Sequence, residues 1–190
     1  MFYLHQVMIG TFFFLFAYES YRQWKDLNRL TEKDQDQELN NRFQTAESYY
    51  QRGKIEEAKS LFFSICKESK RGHLFNKGAF RLAQIEMKNG ALSQAQKWLF
   101  AIDLKNDESV ETCKQEVLFS LKRYKEALKI GETLFHLRHR YDVCVRNALC
   151  CAHINDTKAC QGWLRMARMM HPEKMDSLLA RPEFLHIGLK

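Results

Sequence analysis

The stretch GKIEEAKSLFF, Gly53 to Phe63, returns in outline as GALSQAQKWLF, Gly90 to Phe100. Internal repetition constrains a chain strongly, because a recurring unit must present the same surfaces to each neighbour. Aligned on the small residue that opens the second half of each unit, the copies are marked by Ala58, Ala95, Ala127 and Cys160. Their separations are 37, 32 and 33 residues, with a mean of 34. Only two prolines and eight glycines occur in 190 residues, so the units read as helical. Each is expected to be two antiparallel helices. Small residues let the helices approach, and apolar positions fill the gap and stack on the next unit. Gly53 and Gly90 can take a positive φ after the first helix and reverse the chain within a few residues, and Asn155 is the usual second choice.

The residues agree copy by copy. YYQRGKIEEAKSLF supplies Tyr49, Gly53, Ile55, Glu57, Ala58 and Phe62, and LAQIEMKNGALSQAQKWL supplies Leu82, Ala83, Gly90, Leu92, Ala95 and Leu99. LFSLKRYKEALKIGETL supplies Leu118, Tyr124, Glu126, Ala127 and Leu134, with Lys122 where glycine is usual. NALCCAHINDTKACQGWLRMARMMHP supplies Asn155, Cys160, Leu164, Ala167 and a terminal Pro172. This pattern resembles the tetratricopeptide repeat family over about Asn40 to Pro172. It departs in that no copy keeps the first-helix Trp-x2-Leu-Gly signature whole. The 37-residue interval implies a longer loop or helix near KESKRGHLFNK.

The resemblance implies an all-α, tetratricopeptide-like α-solenoid of antiparallel helix pairs. It implies a protein–protein adaptor or scaffold that is not an enzyme and uses no cofactor or small-molecule substrate. It also implies a concave groove, lined by first helices, that takes extended peptides or helices. The family's groove positions fall on Phe43, Glu47, Tyr50 and Gln51 in the first copy. They fall on Lys77, Phe80, Gln84, Met87 and Lys88 in the second, and on Thr112, Glu116 and Phe119 in the third. The alternative is that Phe80, Met87 and Phe119 pack between repeats or receive the linker helix. Repeats that grip a C-terminal carboxylate carry Lys and Asn where this chain has Phe43 and Glu47, and Glu47 would repel such a ligand.

Met1 to Tyr18, MFYLHQVMIGTFFFLFAY, contains no Asp, Glu, Lys or Arg. As a helix it would reach about 27 Å, close to the hydrocarbon thickness of a bilayer. Tyr18, Tyr21 and Trp24 suit a membrane interface, and Arg22, Lys25, Arg29 and Lys33 follow, which places the body of the chain in the cytoplasm. A single-pass transmembrane anchor is therefore expected; a cleaved signal peptide and an apolar helix buried in a soluble domain are the competing readings. The expected organisation is an anchor over 1–24, a polar linker or helix over 25–39, repeats over 40–172 and a cap over 173–190. Within TEKDQDQEL, Thr31 or Asp34 is placed to cap a new helix. The cap reads as a short helix, a break at Pro182 and an apolar plug of Phe184, Leu185 and Ile187.

The net charge of +7 suits an anionic surface or an acidic partner, but 23 acidic residues are interspersed among 30 basic ones. Aromatics do not interleave with the basic residues in a nucleic-acid pattern, so no nucleic-acid partner is expected. The six cysteines, Cys66, Cys113, Cys144, Cys150, Cys151 and Cys160, read as reduced thiols. Cys150, Cys151 and His153, with Cys144 and Cys160 nearby, invite a zinc site. However, no CxxC spacing occurs, and Cys150 points away from the face shared by Cys144 and Cys151. No HExxH, GxSxG or phosphate-cradling loop is present, so no catalytic residue is assigned. Two alternatives to the anchored adaptor remain. One is a detached regulatory tail of a site-2-type intramembrane protease, because MIGTFFFLFAYESYRQW is similar to the last membrane helix of that class. The other is a soluble secretion chaperone of similar size.

Overall fold

The computed structural model describes residues 12–20, 31–104, 106–184 and 187, and among them every regular element is helical. Residues 12–20 form helix α1. Gln37–Gln51 (α2), Ile55–Ser69 (α3), His73–Lys88 (α4), Leu92–Ala101 (α5) and Glu108–Ser120 (α6) follow. Tyr124–Leu137 (α7), Tyr141–His153 (α8), Thr157–Met170 (α9) and Met175–Leu179 (α10) complete the set, with 3-10 turns at Glu32–Gln35, Pro172–Lys174 and Pro182–Phe184. The chain divides into two compact units, 1–78 and 79–190, and the division falls within α4.

The pairs α2/α3, α4/α5, α6/α7 and α8/α9 are closed by one and the same reversal. Its central residue is left-handed in each: Gly53 at φ 77°, Gly90 at 73°, Lys122 at 60° and Asn155 at 60°. The N–H groups of these residues donate to the carbonyls of Tyr50, Met87, Phe119 and Ala152 at 2.9–3.1 Å. The next N–H in each copy, from Lys54, Ala91, Arg123 and Asp156, reaches back to Tyr49, Glu86, Leu118 and Cys151 at 2.9 Å. This double closure satisfies carbonyls that a helix end would otherwise leave open. The third copy makes it without glycine, and the left-handed Lys122 costs about 1 kcal/mol.

Packing follows the same register. Ala58, Ala95, Ala127 and Cys160 are all fully buried, as are Ala46, Ala83, Gln115 and Ala148 on the first helices. Phe62, Leu99 and Leu164, four residues beyond the small position, are also fully buried, and burying each contributes about 1.5–3 kcal/mol. The long first interval is resolved as helix rather than loop. α3 and α4 have 15 and 16 residues, against 10 and 13 in α5 and α6, and the α3–α4 link is only 70–72.

In the first unit the joint before the repeats does more than begin a helix. Thr31 caps the 3-10 turn Glu32–Gln35 in a capping box with Asp34, as the sequence suggested, while Asp36 caps α2, accepting from the N–H groups of Glu38 and Leu39. Asp34 accepts from Thr31 N–H at 2.7 Å and the Thr31 hydroxyl at 2.9 Å, and its other oxygen accepts from Leu74 N–H at 2.7 Å. A carboxylate 40 residues upstream therefore closes the start of α4. Burial raises the Asp34 pKa, but hydrogen bonds from the backbones of Leu74, Thr31 and His73 outweigh it and hold the carboxyl below its ordinary value.

At the other end, α10 and the turn Pro182–Phe184 close the second unit. Met175, Leu178 and Phe184 are buried in one cluster with Cys144, Cys151, Cys160 and Leu164, and Ile187 packs against it. Leu185 lies outside the described residues. Most of the expected membrane span, residues 1–11, also lies outside them. No described helix is long and apolar enough to cross a membrane, and α1 alone reaches about 14 Å.

Two measurements check these assignments. Gly90→Ala should cost about 1 kcal/mol and Lys122→Gly should gain up to about that much, moving Tm by about 2–4 °C in opposite directions. Asp34→Asn should lower stability at neutral pH. The wild-type carboxylate is more acidic folded than unfolded, so its contribution is complete above the ordinary aspartate pKa. It is lost as the pH falls through the depressed folded value. Acid unfolding followed by circular dichroism should show the two proteins converging at low pH.

Candidate functional site

The groove positions fall on first helices, whose exposed stripes recur every three to four residues. In the first unit, α2 places Glu47 and Tyr50 half-buried and Gln51 exposed, and Lys77, one turn into α4, is exposed. Phe43, expected to line the groove, is only 6% exposed. It belongs to the inward stripe Leu39, Phe43 and Ala46, and its ring meets Phe62 edge-on at 5.6 Å with the Lys77 ammonium 6.0 Å above it. Phe43 therefore packs the first helix pair and offers a partner almost no surface.

In the second unit, α4 carries Phe80, Gln84 and Met87 half-buried and Lys88 exposed, and Gln84 accepts from Arg81 at 2.9 Å. On α6, Thr112 is half-buried and Glu116 exposed. Phe119 sits edge-on to Tyr124 at 5.3 Å and to His153 at 5.8 Å, while Tyr124 and His153 stack at 4.2 Å. These three rings join α6, α7 and α8, so Phe119 is engaged in an inter-repeat contact. The corresponding positions of α8, found by carrying the register forward from Cys160, are Val145, Leu149 and Ala152. All three pack against the cluster that holds Met175, Leu178 and Phe184. The polar residue at the middle of these positions, Glu47, Gln84 or Glu116 in the other copies, is thus replaced by the packed Leu149 in the fourth.

Repeat comparison also exposes a buried polar seam that no motif announces. Where the other copies have Ala46, Ala83 and Ala148, the third has Gln115; where they have Phe62, Leu99 and Leu164, it has Gly131. The large and small residues have changed helices. The Gln115 amide donates to Asn147 Oδ1 at 2.8 Å, both side chains being fully buried, and Arg146 donates to Gln115 Oε1 at 3.4 Å. A Cβ at position 131 would collide with Asn147 Oδ1 and Gln115 Nε2, so glycine is required by close approach. The Asn147 Nδ2 group is buried with no acceptor among the described residues.

The cysteines are set by burial. It pushes Cys66, Cys150 and Cys151 up to about 12 and Cys144 and Cys160 up to about 11. Cys113 is also raised, by burial and by Glu116, with Arg146 opposing. Such thiols stay protonated at neutral pH and are poor nucleophiles and poor metal ligands. Cys150 packs with Leu118 and Ala127, while Cys144 and Cys151 pack with Cys160, as their helical spacing requires. No cluster of three or more potential metal ligands occurs among the described residues. The stretch FHLRHRYD, 135–142, holds an ion-pair network: Arg138 and Arg140 both reach Glu108, at 3.4 and 2.7 Å, and Arg140 also reaches Asp142 at 2.8 Å. His139 lies edge-on to Phe135 at 4.5 Å.

Four helix pairs closed by one repeated reversal, with the small residues buried in phase, define a tetratricopeptide-type fold. No family model matches the sequence, and no curated protein matches it. Among solved structures, MamA of AMB-1 superposes with a TM-score of 0.66 at 14% identity, over 80% of this chain and 84% of that one. A putative kinesin light chain of Podosopora anserina, with nearly identical TPR-like repeats, gives 0.56 at 14% identity over 78% and 81%. A thermophilic TPR protein of Thermus thermophilus, TTC0263, gives 0.51 at 16% identity over 80% and 84%. At these identities the likeness concerns the fold.

The exchanged residues should behave as one unit. Gly131→Ala should destabilise by about 1–3 kcal/mol through overpacking. Combining it with Gln115→Ala should cost less than the sum of the single changes, as measured by urea denaturation in a double-mutant cycle.

Proposed function

We propose that this chain is a non-enzymatic adaptor, held at a membrane by its N-terminal segment, that binds peptide or helical segments of protein partners on its first-helix faces. The observation that carries the reading is a tetratricopeptide-type fold on the same chain as an uncharged apolar segment. In that segment Phe12, Phe13, Phe14, Leu15 and Phe16 are 54–74% exposed on α1. A run of that kind exposed to water is unfavourable, and transfer to a hydrocarbon phase supplies about 1.5–3 kcal/mol per large side chain. The cations that follow it, among them Arg22, Lys25 and Arg29, favour a cytoplasmic position for the repeats. Tethering would raise the effective concentration of the binding faces for partners at the same bilayer. Phe80, Gln84 and Met87 are the half-buried residues on α4 that such a partner would cover.

Fractionation tests the anchor. The wild-type chain should stay with membranes through a high-salt wash, and replacing Phe13, Phe14 and Phe16 with Ser should release it; a wild-type chain that is wholly soluble removes the anchored reading. Affinity capture then tests the binding face, where Phe80→Ala with Met87→Ala should lower recovery of partner at least about tenfold, a loss of about 1.4 kcal/mol. Unchanged recovery refutes the assignment of that face.

A further inference from the structure

The second helices of the last two pairs differ in charge from that of the first. On α3 the exposed residues include Glu56, Glu57, Lys67 and Glu68, a mixed set with an acidic excess. On α7 and α9 the exposed charges are Lys125, Lys129, Lys158, Arg165 and Arg168, opposed by Glu132. Glu126 does not add to the opposition, because Arg123 holds it in a bidentate pair at 2.6 and 2.7 Å. None of the five cations forms an ion pair among the described residues. Elsewhere in the second unit Lys114, Arg138 and Arg140 are paired, and the exposed Lys97, Lys122 and Arg181 stand singly on α5, on the α6–α7 turn and after α10, so these two helices carry the unpaired cations that are grouped.

α7 and α9 run in the same direction, since each packs antiparallel to α8, and the Phe135 and Trp163 rings join them at 5.1 Å. Their C-terminal turns carry large exposed apolar residues, Leu137 at 41% and Met169 at 80%. Unpaired cations on two neighbouring helices with apolar side chains at their ends make a surface that matches lipid headgroups above and acyl chains below.

We infer that the α7/α9 face docks on an anionic bilayer surface. Lys125, Lys129, Arg165 and Arg168 meet the headgroups, and Met169 reaches the interface. The inference rests on the membrane-tethered reading, which supplies the bilayer. A second contact would orient the second unit against the membrane and leave its own first-helix faces turned toward partners. Its strength should depend on salt and on lipid charge, each cation near an anionic leaflet contributing about fivefold in partitioning.

The test uses the full chain carrying Phe13→Ser, Phe14→Ser and Phe16→Ser, which removes the apolar contribution. It is sedimented with vesicles of phosphatidylcholine alone and with vesicles containing about one-third phosphatidylserine, at about 0.1 M and about 0.5 M salt. Expected is pelleting with the anionic vesicles at low salt only. Adding Lys125→Glu, Lys129→Glu, Arg165→Glu and Arg168→Glu should weaken it about a hundredfold with unchanged circular dichroism. Adding Met169→Ser alone tests the interfacial contact with little risk to folding and should weaken it severalfold. Equal pelleting with both vesicle types, or no effect of the charge reversals, overturns the inference. Equally tight capture by a short DNA duplex also overturns it, because the face would then be a general polyanion surface. The unsubstituted chain with pure phosphatidylcholine vesicles reports on the anchor separately, so the two readings fail independently.

Discussion

The rest of the structure depends on how closely two helices can lie. An alanine or a thiol at the crossing point brings the backbones together, and the turn that joins them must then reverse the chain in three residues. Only a left-handed residue with its two backward hydrogen bonds does that without leaving carbonyls exposed. The crossing and the reversal fix the register of each pair, and that register decides which residues face the next pair. Glycine, lysine and asparagine all serve at the reversal, because the conformation is enforced by packing on both sides.

The third pair shows how much freedom that register leaves. Its crossing residue Ala127 is unchanged and buried, yet the filler beside it has been deleted at Gly131 and rebuilt as an amide from the opposite helix. The larger side chain now comes from the first helix, and it is polar. Hydrophobic filling tolerates exchange as long as volume is kept, but a buried amide must also find partners of its own, which ties Gln115 to Asn147 and Arg146. This seam is accordingly held by directional bonds, whereas the equivalent places in the other copies are held by Phe62, Leu99 and Leu164.

Partner-facing surface was less legible than fold, for a physical reason. Whether an aromatic on a first helix meets a ligand or a neighbouring helix depends on side-chain direction and on what covers it. Phe43 turned inward onto Phe62, and Phe119 was taken up by Tyr124 and His153, although both occupy positions where the repeat family presents ligand contacts. Gln51, Lys77, Lys88 and Glu116 were easier to place at the surface, since a charge or amide left on an outward stripe has little reason to be elsewhere. Asp34 was foreseen as a local cap. Its second bond, to Leu74, joins segments 40 residues apart and leaves no periodic trace in the sequence.

By itself, the sequence determined the helical class, the phase of the four pairs, the site of each reversal and the cap that closes on Phe184. These follow from spacing, and spacing is a property of the chain before it folds. Tertiary structure alone decided which aromatics are core, that Asp34 caps α4, that the long interval is absorbed as helix, and that Gly131 makes room for an amide bridge. Each of these is a contact between residues distant in sequence, whose energy exists only once the helices have come together.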